Sequence, residues 1–250
     1  MMGEESRGPG HPVFPPVVPG SRSGLPSLRP SPEDDLVGVG GDLNPATLLH
    51  AYINGVFPMG LGECGAEPMG WWSPLQRGVL RPADLRVHRS LRKSARHYMV
   101  SVDRAFEAVM RRCADPNRQG RWITDHIVDA YVALHEMGWA HSVEVWSGGD
   151  LVGGLYGVSI GGLFAGESMF HASRDASKVA LMELVDIVGD DGDERRLIDV
   201  QWATAHLASL GVSEISRDEY IVAAQQAVQL PVPAGFASEW ARRHVQHCVI

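Results

Sequence analysis

The segment "GGLFAGESMFHASRDASK", residues 161–178, sets a single carboxylate, Glu167, among glycines and apolar side chains. A charge in such a setting either finds a partner or takes up a proton. Glu167 therefore calls for a cation, on this chain or on something it binds. A second pair lies downstream. Asp199 and Gln201 are two apart in "LIDVQ" and on a strand would share one face. An Asp that accepts from the Gln amide NH₂ turns the Gln carbonyl oxygen outward as a fixed acceptor. Such an acceptor suits an attacking amine that must lose a proton, although two polar residues at a strand end are the commoner explanation of such a pair.

Trp71, Trp72 and Trp122 lie in Gly- or Arg-flanked turns rather than in periodic apolar runs. An aromatic face stacks a nucleobase for about 1–3 kcal/mol. Trp71 and Trp72 read as core; Trp122, between Arg121 and a helix start, is the better platform. The formal net charge of −8 speaks against a nucleic-acid partner, but the charge is uneven. Arg77, Arg81, Arg86, Arg89, Arg92, Lys93 and Arg96 are opposed only by Asp84. A patch of that kind can dock a phosphate backbone, and a solvated helix face explains it equally simply.

Other chemistries find no support. "HEMGWAH" lacks the H-E-x-x-H spacing of a zinc site, and no G-x-S-x-G elbow occurs. "GVGGDL" is no dinucleotide loop, and no glycine-rich run before residue 175 offers N–H groups to a cofactor pyrophosphate. The three cysteines form no C-x-x-C pair, which argues against a disulfide framework and fits a reducing cytosol. No apolar run approaches the roughly 20 residues of a membrane span.

These residues need a scaffold, and 250 residues with 44% hydrophobic side chains are enough for one large domain with a small companion. Residues 1–35, rich in Pro, Gly and Ser, read as a mobile arm that packs little. A short helix is expected over Leu48–Asn54, with a boundary near Ser73. Residues 88–97 carry a basic helical pattern and Met99–Val102 a strand. Asp103 is a candidate cap for a helix to Arg112, Thr124 for one ending at Gly138, and Asp175 for one over Val179–Val188. Between the last two lie strand-like runs at 141–146, 151–158 and 163–170, joined by hairpin chemistry. A strand at "RLIDVQ" and a short helix ending "ASLG" follow. Hairpins followed by a strand–helix return predict an α+β domain with a mixed sheet over 74–230, after a small N-terminal domain over 36–73 and before a tail over 231–250.

Nine pieces in one order resemble a single family: "GGDLNPATLLHAYINGVFPM", "WWSP", "WIT", "AHSVEVW", "LVGGLYGV", "FAGESMF", "ASK", "LIDVQ" and "ASLG". They run from about Gly40 to Tyr220 and resemble the leucyl/phenylalanyl-tRNA–protein transferases of bacteria. The resemblance implies an acetyltransferase-like (GNAT-like) C-terminal domain and a cytoplasmic monomeric enzyme without metal or organic cofactor. It implies transfer of Leu or Phe, sometimes Met, from aminoacyl-tRNA to proteins that begin with Arg or Lys, which marks them for degradation.

By the same resemblance Glu167 recognises the basic N-terminal residue, and Gln201, aimed by Asp199, withdraws the proton of the attacking amine. Trp122, Tyr131 and Met59 fall at positions that contact the 3′-terminal adenosine; Met59 stands where well-known members carry Trp. The aminoacyl pocket maps to Leu155, Phe164, Met169, Leu181 and Ile198, and the tRNA backbone to Arg86, Arg89, Arg92 and Lys93. Two rivals are another acyl or aminoacyl transferase of that fold and a non-catalytic adaptor for basic N-termini.

Overall fold

A computed structural model describes residues 24–118 and 120–236; the rest of the expected arm and tail, with Cys248, lies outside the described residues. The first part comprises β1 (Leu36–Val39), α1 (Pro45–Ile53), β2 (Phe57–Gly60) and β3 (Met69–Trp72). The strands form a three-stranded antiparallel sheet in the order β1-β3-β2. Pro45 opens α1 in its first turn, where a missing N–H costs nothing, so the helix begins three residues before the expected Leu48. Trp71 is fully buried, with Nε1 donating to the Gly40 carbonyl at 2.6 Å.

Residues 24–35 are not a loose arm. Leu25 and Leu28 pack against a buried apolar cluster that includes residues of α1 and β3. The Arg217 guanidinium donates to the carbonyls of Ser31 at 2.7 Å and Asp34 at 2.6 Å. Those backbone acceptors give the polar segment a fixed partner that composition does not reveal.

The second sheet has seven strands: β4 (Gln76–Leu80), β5 (Met99–Val102), β6 (Ala140–Ser147), β7 (Asp150–Ile160), β8 (Leu163–His171), β9 (Leu197–Gln201) and β10 (Ser213–Ser216). Their order is β10-β4-β9-β8-β7-β6-β5, and β8 and β9 pair in parallel. Six helices accompany them: α2 (Arg89–Ala95), α3 (Phe106–Cys113), α4 (Asp125–Glu136), α5 (Ala176–Val188), α6 (Ala205–Ser209) and α7 (Arg217–Ala227). The parallel pair requires a crossover, and the apolar α5 supplies it. The α+β class with a mixed sheet follows directly.

One face of the large sheet packs Val143, Val145, Leu155, Phe164 and Ile198 under α5. The other buries Tyr156, Val158 and Ala165 beneath α1, α3 and α4. Phe236, within the expected tail, is buried as well and stacks on His141 with ring centroids 4.3 Å apart.

Two of the three expected caps are absent. Thr124 does cap α4, accepting from the Ile127 N–H at 3.4 Å. Asp103 and Asp175 instead adopt φ of 56° and 61°. An N-cap needs an extended backbone to reach the orphan N–H groups, and a left-handed residue points elsewhere. Asp103 accepts from the Ser142 N–H at 2.9 Å and meets His141 Nδ1 at 2.7 Å; Asp175 holds Lys178 Nζ at 2.8 Å. The N-terminus of α3 is served from β6, where buried Glu144 accepts from the Ala105 N–H at 3.3 Å.

Candidate active site

Two irregularities interrupt neighbouring strands. In the β7–β8 ladder Tyr156 faces Ser168 and Gly157 faces Gly166, so Glu167 is an extra residue without a cross-strand partner. In the β4–β9 ladder Gly78 faces Gln201 and Val79 faces Asp199, so Val200 is extra. A bulge bends its strand and re-aims side chains, here beside one another because Ala165 pairs with Asp199. Close backbone approach accompanies both. A Cβ at Gly157 would lie 2.2 Å from the Ala165 carbonyl oxygen, and one at Gly78 would lie 2.8 Å from the Ala203 nitrogen.

The bulge turns half-buried Glu167 toward α1 and α4. Its Oε1 accepts from the Tyr52 hydroxyl at 2.7 Å and its Oε2 from the Tyr131 hydroxyl at 3.2 Å; the two hydroxyls also bond to each other. Burial pushes the Glu167 carboxyl up to about 8 against the opposing pull of the Tyr52 hydroxyl. The same burial, with Glu167 next in weight, holds both phenols well above their ordinary range. Among the described residues Glu167 has no ion-pair partner.

Asp199 is different. It is fully buried and saturated with donors: Arg77 Nε at 2.8 Å, Arg77 Nη2 at 2.6 Å, the Tyr220 hydroxyl at 2.8 Å and the Gln201 backbone N–H at 2.9 Å. The expected contact between the Asp199 carboxylate and the Gln201 side-chain amide is not made. Gln201 has φ of 58°, and this left-handed turn takes its side chain off the strand face it was expected to share. The Gln201 Nε2 is buried without a hydrogen-bond partner among the described residues.

Arg77 likewise leaves the expected basic patch, being only 1% exposed. Its remaining donor reaches the Gly55 carbonyl at 3.1 Å, and its guanidinium lies 4.2 Å from the Tyr220 ring centroid and 4.9 Å from that of Phe57. Burial disfavours this cation, yet the Asp199 carboxylate, together with Tyr220 and Glu167, outweighs it and holds the guanidinium firmly protonated.

Glu167 and Gln201 both open into a cavity of about 330 Å³. Leu155, Met169, Leu181 and Ile198 form part of its apolar wall, together with Leu184 and Val200. Arg118 and Trp122 also line it. Three expected members do not. Phe164 is buried behind the wall, its ring 5.6 Å from that of Phe236. Tyr131 is fully buried, and its hydroxyl donates to Glu167. Met59 is half-buried on β2, away from the cavity wall, where its carbonyl accepts from Trp72 Nε1 at 2.9 Å. Arg86, Arg89, Arg92 and Lys93 are all exposed on or just before α2.

Sequence reasoning missed Arg77, Tyr52 and Tyr220. The apolar pair Val79 and Leu80 that ends "QRGVL" was the available signal that Arg77 enters a strand. The arrangement presents a carboxylate awaiting a cation and a buried amide on one wall of an apolar cavity. It can orient a cationic, amine-bearing group against an apolar acyl group.

Residues 79–225 match the family described as leucyl/phenylalanyl-tRNA protein transferase, and residues 41–75 match the N-terminal domain of that family. A leucyl/phenylalanyl-tRNA–protein transferase of Anaeromyxobacter sp. (strain K) is 49% identical over 207 residues, which span 81% of this chain and 87% of the relative. One of Nitrosospira multiformis is 51% identical over 189 residues, 74% of this chain and 79% of the relative. One of Chromobacterium violaceum is 45% identical over 226 residues, 89% of this chain and 91% of the relative. Over most of its length, the chain thus belongs to the leucyl/phenylalanyl-tRNA–protein transferase family.

Proposed function

We propose that this protein transfers Leu or Phe from aminoacyl-tRNA to the α-amine of proteins that begin with Arg or Lys. The observation that carries the acceptor half is Glu167, a carboxylate without an ion-pair partner among the described residues, opening into the same cavity as Gln201. A basic N-terminal side chain supplies the missing cation, and its α-amine then lies toward Gln201. The apolar wall of Leu155, Met169, Leu181 and Ile198 receives the aminoacyl side chain. Trp122 stacks on the terminal adenosine, and the exposed Arg86, Arg89, Arg92 and Lys93 meet the tRNA backbone.

The chemistry asks little. The amine lone pair attacks the ester carbonyl carbon, the carbon–oxygen bond to the ribose breaks, and the ribose oxygen leaves with a proton as the amine loses one. The ester is already activated, so positioning and help for the oxyanion suffice. An unperturbed α-amine has a pKa of about 7.7–8.0, so a useful fraction is neutral near pH 7. In the transfer the Gln201 amide bonds the reacting groups: its oxygen takes an N–H of the amine and its Nε2, without a hydrogen-bond partner among the described residues, donates to the developing oxyanion.

On this reading the chain is a cytoplasmic monomer that marks its acceptors for degradation. Residues 36–73 form a small domain on an acetyltransferase-like domain of residues 74–230. Purified protein, labelled Leu-tRNA and peptides beginning with Arg or with Glu test it. Label should enter the Arg peptide; equal labelling of both peptides, or of neither, would refute the reading.

A further inference from the structure

We infer that Arg77 is a positioning residue for the transfer, fixing the left-handed backbone of Gln201 through Asp199 and tying that geometry to the N-terminal sheet. The inference rests on the proposed role of Gln201. Its grounds are the contacts that one guanidinium makes with four residues. Two donors meet the two oxygens of Asp199, at 2.8 and 2.6 Å, in a fork that only Arg can make. A third reaches the Gly55 carbonyl, between α1 and β2, at 3.1 Å. The flat faces of the group meet Tyr220 of α7 and Phe57 of β2.

Asp199 passes this placement on. The Oδ1 that accepts Arg77 Nε also accepts the Gln201 N–H at 2.9 Å. Gln201 holds a φ of 58°, which a non-glycine residue keeps only when its surroundings impose it. The anchored N–H is the nearest constraint that does so. With Gln201 opposite Gly78, one residue past Arg77, strand β4 supplies both the clamp and the space for the turn. Asp199 already accepts from four donors, and its work is geometric.

Arg77→Lys keeps a cation and loses the fork. Its kcat for Leu transfer to an Arg-initiated peptide should fall at least about tenfold, with KM for both substrates within about threefold, because only the reacting geometry is disturbed. The Gln201 amide, slow to exchange with solvent in the wild type, should exchange faster. Arg196→Lys is the control. Arg196 is also buried and makes the same two-pronged contact with Asp191, at 2.7 and 2.6 Å, but outside the cavity. Its kcat should stay within about twofold of the wild type.

If Arg77→Lys does not fold, the double variant Arg77→Gln with Asp199→Asn replaces the pair by neutral amides without stranding a charge, and the same kcat loss is expected. Wild-type kcat in either Arg77 variant, or an equal loss in Arg196→Lys, would overturn the inference. Absence of transfer by the wild type would instead refute the proposed function. Gln201 exchange unchanged by Arg77→Lys would then, independently, refute the clamp.

Discussion

Asp199 holds Gln201 by its backbone N–H at 2.9 Å rather than by its side chain. The side-chain amide is thereby free for the cavity, and the carboxylate is committed to Arg77 and Tyr220. Both residues serve one geometry. Gln201→Ala and Asp199→Ala should each slow transfer strongly, and the double variant should be scarcely slower than the worse single one. Single-turnover rates across this cycle decide; multiplicative losses would contradict a shared device.

The backbone of Gln201 gives a separate stability test. Its φ of 58° costs a residue with a Cβ about 1 kcal/mol that glycine does not incur. Gln201→Gly should therefore be more stable than Gln201→Ala by about that amount in urea titrations, apart from the greater freedom of glycine in the unfolded chain. Neither should restore transfer.

Glu167 predicts a pH dependence with a defined sign. Its carboxyl titrates near about 8 in the folded protein against an ordinary 4.5. Between those values the folded chain keeps a proton that the unfolded chain releases, so stability falls as pH rises through the window. Glu167→Gln removes this dependence. The variant should match the wild-type melting temperature near pH 5 and exceed it near pH 9. A difference independent of pH would contradict the buried-carboxyl reading.

The exposed cations on and just before α2 predict a salt effect. Neutralising Arg86, Arg89, Arg92 and Lys93 together should weaken aminoacyl-tRNA binding and flatten its slope against log salt, while aminoacyl-adenosine remains a substrate. An unchanged slope would make this face merely solvated.

Cavity size predicts donor preference. Val200 is half-buried and lines the cavity at the bulge of β9. Val200→Phe should reduce kcat/KM for Phe-tRNA more than for Leu-tRNA, since the larger donor side chain needs the volume that is lost. Equal reductions would place the aminoacyl group elsewhere.

Much of this was legible in the sequence where elements are long and periodic. The runs at 141–146, 151–158 and 163–170 appear as β6, β7 and β8, and the Val179–Val188 helix appears as α5. The four-residue strands β1, β2 and β3, rich in Gly and Pro, show no alternation, so their sheet was invisible. The site was half legible. An isolated carboxylate in an apolar run is a local oddity that sequence displays. Its phenol partner Tyr52 is 115 positions away, and Arg77 is 122 from Asp199, distances no local pattern spans. Arg77 looked like surface because the cations that follow it, from Arg81 to Arg96, are exposed, whereas its partner arrives from β9. The bulges at Glu167 and Val200 depend on cross-strand register, which only pairing reveals.

The central claim is that Glu167 reads the positive charge of the acceptor, and Glu167→Gln tests it most directly. The variant keeps the shape and the acceptor oxygen for Tyr52 but cannot ionise. The measurement is kcat/KM for Leu transfer to peptides that begin with Arg and with Met, otherwise identical, by wild type and variant at pH 8. Losing the charge of a desolvated pair costs about 2–5 kcal/mol, a factor of tens to thousands. The wild type should strongly favour the Arg peptide, and the variant should lose that preference through the Arg peptide alone, with the Met peptide turned over as before. An Arg preference unchanged in Glu167→Gln would contradict the claim and place acceptor recognition at another group.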